Sequence, residues 1–62
     1  MNLYLVKRYL VREPSTGVLL KYTRYASGNC TIKPLTQGAR AYPVPVSQFE
    51  NDLRTKEVLQ EY

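Results

Sequence analysis

Sixty-two residues exclude a second domain, and a chain this short buries only about 60% of the surface that its unfolded form exposes, so the core is a handful of side chains. An apolar fraction of 44%, with 23% charged residues and six tyrosines, is a folding composition and excludes a disordered tail. Nine Lys and Arg against five Asp and Glu give a net charge of +4 and a pI near 9.5, the footprint of a protein that meets phosphates or an acidic surface.

From Leu3 to Arg12, Leu, Val and Tyr interleave with polar residues in the alternation of a strand. Glu13-Pro14-Ser15-Thr16-Gly17 supplies a proline with preset φ and a glycine free to take positive φ, which suits a compact hairpin loop. Val18 to Tyr25 is then the returning strand. Ser27-Gly28-Asn29 is a second turn signal, and Cys30 to Lys33 is a short β-branched strand that stops at Pro34. Leu35 to Ala41 reads as loop, with room for a short fourth strand at Ala39 to Tyr42.

Pro43 and Pro45 hold the segment Tyr42 to Val46 extended and remove two donors, so it serves as a stiff connector and not as an inner strand. Ser47-Gln48-Phe49-Glu50 fits a capping box, which starts a helix. Two acid-before-base pairs four apart, Glu50 with Arg54 and Asp52 with Lys56, support that helix, and Phe49, Leu53 and Leu59 form its packing stripe. Val58 falls off the stripe. A rival reading therefore ends the helix near Thr55 to Glu57 and makes Lys56 to Tyr62 a final strand.

The expected fold is α+β: a three-stranded antiparallel meander over residues 1–33, a loop and Pro-rich connector over 34–46, and a helix over 47–62 that packs on the sheet. A four-residue loop at Pro14–Gly17 sets Val11 opposite Leu20, Tyr9 opposite Tyr22 and Lys7 opposite Arg24. A turn centred on Gly28-Asn29 sets Arg24 opposite Lys33. On this register one face carries Lys7, Arg24 and Lys33 in a row beside Tyr9 and Tyr22, and the other carries Arg8, Arg12, Lys21, Tyr25 and Ile32. A five-residue first loop would set Tyr9 opposite Lys21 and dissolve the row. Like charges opposite one another destabilise a sheet, and a bound polyanion supplies a reason for them.

The missing residues narrow the chemistry. No histidine and one cysteine, Cys30, remove zinc ligand sets, the ordinary neutral-pH proton carrier and any intrachain disulfide. Cys30 reads as a small buried side chain in a reducing compartment. No GxGxxG, GKT or GKS is present to cradle a nucleotide. No apolar run is long enough for a transmembrane helix, and no signal-peptide pattern is visible. The expectation is a cytoplasmic protein, in the host cytoplasm if it is viral, with no catalytic residues, no cofactor and no metal.

Charge is also uneven along the chain: residues 1–49 carry +6 and residues 50–62 carry −2. Tyrosines between cations suit single-stranded nucleic acid, because rings stack on bases while Lys and Arg track phosphates. The expected function is therefore nucleic-acid binding, with Lys7, Arg24 and Lys33 on phosphates, Tyr9 and Tyr22 beside them, and Arg8, Arg12 and Lys21 as the alternative set. The rival from another class is a protein-interaction module or inhibitor that meets an acidic protein surface, with homodimerisation as a variant.

The closing segment, with Phe49, Asp52, Arg54 and Val58, resembles the ends of some small phage-encoded proteins. It covers about a quarter of the chain and implies no site. By analogy, small accessory proteins of phages and mobile elements act by occupying a partner.

Overall fold

The computed structural model describes residues 7–62. Expectations for Leu3, Tyr4, Leu5 and Val6 lie outside the described residues. Five strands, β1 (Lys7–Arg12), β2 (Leu19–Arg24), β3 (Cys30–Pro34), β4 (Tyr42–Val44) and β5 (Glu57–Glu61), form one sheet in the order β4-β3-β2-β1-β5, and α1 (Val46–Thr55) packs on it. All four pairings are antiparallel, so the α+β class and the β1-β2-β3 meander hold. The strand count is five, not three or four.

The first hairpin has the expected register. Glu13 N–H donates to the Val18 carbonyl at 2.9 Å and Gly17, at φ +75°, closes the four-residue loop, setting Val11 opposite Leu20, Tyr9 opposite Tyr22 and Lys7 opposite Arg24. The second hairpin does not. Tyr25 N–H donates to the Asn29 carbonyl and Gly28 N–H to the Tyr25 carbonyl, both at 2.9 Å, so Gly28 (φ +96°) ends a three-residue loop centred on Ser27. Arg24 therefore faces Cys30, and Lys33 faces Lys21. The shift is odd, so every β3 side chain changes face. Ile32 moves to the helix side and Lys33 leaves it.

Two further segments differ from expectation. Tyr42–Val44 is a strand within the Pro-rich connector, but an edge one, where Pro43 needs no ladder partner on its outer side. The helix ends at Thr55 instead of running to Tyr62. Lys56 is extended (φ −99°, ψ 165°), and the chain then pairs along the open edge of β1, placing Val58 opposite Val11. This is the rival strand. A bulge at Leu59 interrupts it, since Gln60 and Val58 face the consecutive Leu10 and Val11. Leu59 consequently leaves the helix stripe and stands on β5, 38% exposed.

The helix also starts differently. Pro45 is its N-cap and no side chain caps it, so Ser47 lies inside the first turn and the capping box is not formed. Neither expected ion pair along the helix is made among the described residues. Instead Asp52 Oδ2 accepts a hydrogen bond from the Tyr22 hydroxyl at 2.8 Å, and Lys56 Nζ pairs with Glu13 Oε2. Both contacts are long-range and fasten helix to sheet.

The core is Val11, Tyr22, Cys30, Ile32 and Phe49, all on the helix side of the sheet or on the helix itself. Phe49 meets the Tyr9 ring edge-on at 6.0 Å and the Tyr22 ring at 5.7 Å. Burying a phenylalanine contributes about 1.5–3 kcal/mol, a large share for so small a core.

The fastening contacts make stability depend on pH at both ends. Hydrogen bonding to Lys56 holds the Glu13 carboxyl below its ordinary 4.5, and the same bond to Glu13 holds the Lys56 ammonium above 10.5. Burial, with the Asp52 carboxylate next, raises the Tyr22 phenol above its ordinary 10.0. Glu13, lowered in the fold, adds stability that is present above its unfolded value and lost as pH falls through the folded one. Lys56 and Tyr22, raised in the fold, add stability that is present below their unfolded values and lost as pH rises past them. Urea midpoints measured across pH should show a plateau that falls on both sides. Glu13→Gln should flatten the acid limb and leave the Tyr22 part of the alkaline limb; an acid limb of unchanged steepness would contradict this assignment.

Candidate functional site

A single ten-residue helix covers one side of a five-stranded sheet, and the other side has no element packed on it among the described residues. Alternation fixes what that outer face displays: Arg8, Leu10 and Arg12 from β1, Leu19, Lys21 and Thr23 from β2, Thr31 and Lys33 from β3, and Glu57 and Gln60 from β5. The expected row of Lys7, Arg24 and Lys33 does not exist. Lys7 and Arg24 remain opposite each other on the helix side, while Lys33 joins Lys21 on the outer face.

The expected pair of ligand-facing tyrosines is corrected as well. Tyr22 is 1% exposed and holds Asp52, and Tyr9 is half-buried against Phe49. These rings are core. Three other tyrosines are exposed, Tyr25 (44%), Tyr42 (45%) and Tyr62 (47%), and Tyr25 and Tyr62 are the two beside Arg8 and Lys21.

Tyr62 extends β5 beside β1, where its N–H donates to the Arg8 carbonyl at 2.9 Å. Its ring centroid lies 5.9 Å from the Arg8 guanidinium carbon and 5.8 Å from Lys21 Nζ. Each such contact is worth about 0.5–1 kcal/mol at an exposed site, enough to gather two cationic heads around one ring. Arg8, Lys21, Thr23 and Tyr25 then line a shallow cleft of about 270 Å³. Of the alternative set, Arg8 and Lys21 are brought together. Arg12 is partly neutralised by Glu57 at 3.5 Å.

The carboxylates explain why this cluster stays charged. Glu13 is held by Lys56, Glu57 by Arg12, and Asp52 by Tyr22. Among the described residues, Arg8, Lys21, Lys33, Lys7 and Arg24 form no ion pair. Tyr25, Tyr62 and Thr23 are the site residues that sequence reasoning missed. Tyr62 was assigned to a helix, and only the faltering stripe near Thr55 signalled the strand that carries it to Arg8.

A larger hollow of about 500 Å³ lies between the second hairpin loop and the connector, lined by Tyr25, Gly28, Cys30, Pro43 and Val44 among others. It contains no charged side chain, and Cys30 is buried with its Sγ near the Gly28 carbonyl. Among the described residues no group of three or more His, Cys, Asp or Glu is placed to hold a metal ion, and no helix is long and apolar enough to cross a membrane. Comparison with protein-family models, curated proteins and solved structures finds no match to this chain.

Lys21 and Lys33 stand directly opposite on adjacent strands, an arrangement that costs about 0.2–1 kcal/mol. Lys33→Thr, which keeps a strand-forming residue, should raise stability by a similar amount in dilute buffer. The gain should shrink near 1 M salt, where screening already relieves the repulsion. Urea denaturation at the two salt concentrations checks this; a loss of stability in dilute buffer would show that Lys33 has a stabilising partner.

Proposed function

We propose that this protein is a non-enzymatic nucleic-acid-binding protein whose contact surface is the outer face of the sheet. Arg8 and Lys21 meet phosphates, Tyr25 and Tyr62 offer rings to bases, and Lys33 and Thr23 extend the surface. The observation that carries this reading is the convergence of Arg8 and Lys21 on the Tyr62 ring, next to exposed Tyr25, with no carboxylate paired to either cation among the described residues. Cations gathered without counter-charge favour an anionic partner, and exposed phenols beside them favour one with flat apolar faces. Base stacking on such rings is worth roughly 1–3 kcal/mol per base and tolerates any sequence.

A protein partner is the second reading, favoured by the free outer edge of β5. Among the described residues that edge has no neighbouring strand, all five of its residues are exposed, and Val58 is 41% exposed. An unpaired edge is a template for strand addition by another chain or by a second copy. Binding through backbone pairing and apolar side chains depends little on salt, so one titration separates the two readings.

That titration follows a fluorescently labelled single-stranded oligonucleotide by anisotropy as salt is raised. Affinity should fall linearly on a log–log plot, because each neutralised phosphate releases counterions and contributes a slope of about −0.7. Arg8→Ala with Lys21→Ala should make the slope shallower by about 1.4. Affinity independent of salt, or a wild-type slope in the double variant, would overturn the proposal.

A further inference from the structure

Deepening the nucleic-acid reading, on which it rests, we propose that the bound strand is single and that it leaves the outer face over Tyr25. There it rounds the end of the β1–β2 pair to reach Lys7 and Arg24 on the helix side. Tyr25 lines two separate clefts. One is the outer-face cleft with Arg8, Lys21 and Thr23, and the other, of about 330 Å³, is formed with Lys7, Arg24 and Ala26. No residue of α1 is among the described lining of the second cleft.

Strand alternation makes the two clefts neighbours. Lys7 and Arg8 are consecutive and point to opposite faces, and their partners on β2 are Arg24 and Thr23. The end of one two-stranded ladder is thereby collared by Lys7, Arg8, Lys21 and Arg24, none of them ion-paired among the described residues. Lys7 and Arg24 face each other directly, the same unfavourable like-charge pairing that Lys21 and Lys33 make on the other side. A phosphate at each place relieves both.

Tyr25 stands at the turning point on a rigid support. Its N–H and carbonyl are both used in the three-residue loop, to Asn29 and from Gly28, and Gly28 holds the positive φ that the loop requires. The backbone that carries the exposed ring is thus fixed between two basic clefts, a position suited to stacking the base at the bend. The clefts lie on opposite faces of one sheet layer, a separation of roughly 10 Å or less. Double-stranded DNA, with a persistence length of about 150 base pairs, does not turn through that distance, whereas a single strand does so by rotation about its backbone bonds.

The test compares a labelled single strand of ~12 nucleotides, within the usual site size of small single-strand binders, with a blunt duplex of the same length. Lys7→Ala with Arg24→Ala should make the single-strand salt slope shallower by about 1.4 and leave the duplex slope unchanged. Tyr25→Ala should weaken single-strand binding about tenfold, and Tyr25→Phe, which keeps the ring, should stay within about twofold of wild type. If the Lys7/Arg24 variant keeps the wild-type slope while the Arg8/Lys21 variant loses its share, the path around Tyr25 is overturned and the outer-face reading stands. If neither pair changes the slope, both fall. A duplex that binds as tightly as the single strand and loses as much in the Lys7/Arg24 variant overturns the single-strand assignment.

Discussion

Phe49 is the contact on which the rest of the molecule depends. Its ring fills the space between Tyr9 and Tyr22 and joins the helix to the central strands, in a core that has five buried side chains among the described residues. The helix that delivers it has ten residues, about 15 Å of length, and can shield only part of one side of a five-stranded sheet. Everything proposed for function follows from that shortage of cover. The opposite side is left to long cationic side chains over half-buried Leu10 and Leu19, an arrangement in which apolar stems lie on the sheet and charged heads remain in water.

The distribution of carboxylates gives this open side its sign. Three of the acids are committed to fastening: Glu13 to the residue that ends the helix, Asp52 to the buried Tyr22 hydroxyl, and Glu57 to Arg12 along the β1–β5 edge. A modest excess of positive charge over the whole chain thus becomes a concentrated one on the outer face and at the Lys7–Arg24 end. The like-charge pairs that result work against folding, while the Phe49 and Tyr22 contacts work for it. A surface that costs stability in the free protein and is relieved by an anion is the physical content of the functional proposal.

How much of this was legible in the sequence depended on which local signal set each register. Pro14 and Gly17 bracket a loop of four or five residues, and the four-residue choice gives the facing pairs that the first hairpin has. Gly28 and Asn29 resemble a two-residue turn, but the positive φ of Gly28 closes a three-residue loop, and this odd shift transferred Lys33 and Ile32 between faces. The same slip set a third cation, Lys33, on the face of Tyr22, which is in fact the core face that Phe49 covers. The last seven residues were ambiguous for another reason: helix pairing signals such as Asp52 with Lys56 are local, whereas the choice of strand is made by the open edge of β1 and by Glu13, 43 positions away from Lys56. Local chemistry cannot see that competitor. Of the tyrosines expected beside the cations, Tyr22 is buried and Tyr9 packs on the core, while Tyr25 and Tyr62 are the exposed rings near Arg8 and Lys21.

The most direct test of the central claim is a map of backbone amide shifts in isotopically labelled protein as a short single-stranded oligonucleotide is added. The largest changes are expected at Arg8, Lys21, Thr23, Tyr25 and Tyr62, with the amides of Ser47 to Thr55 on the opposite side nearly still. Changes concentrated on the helix, or absent from the outer strands at saturating oligonucleotide, would contradict it.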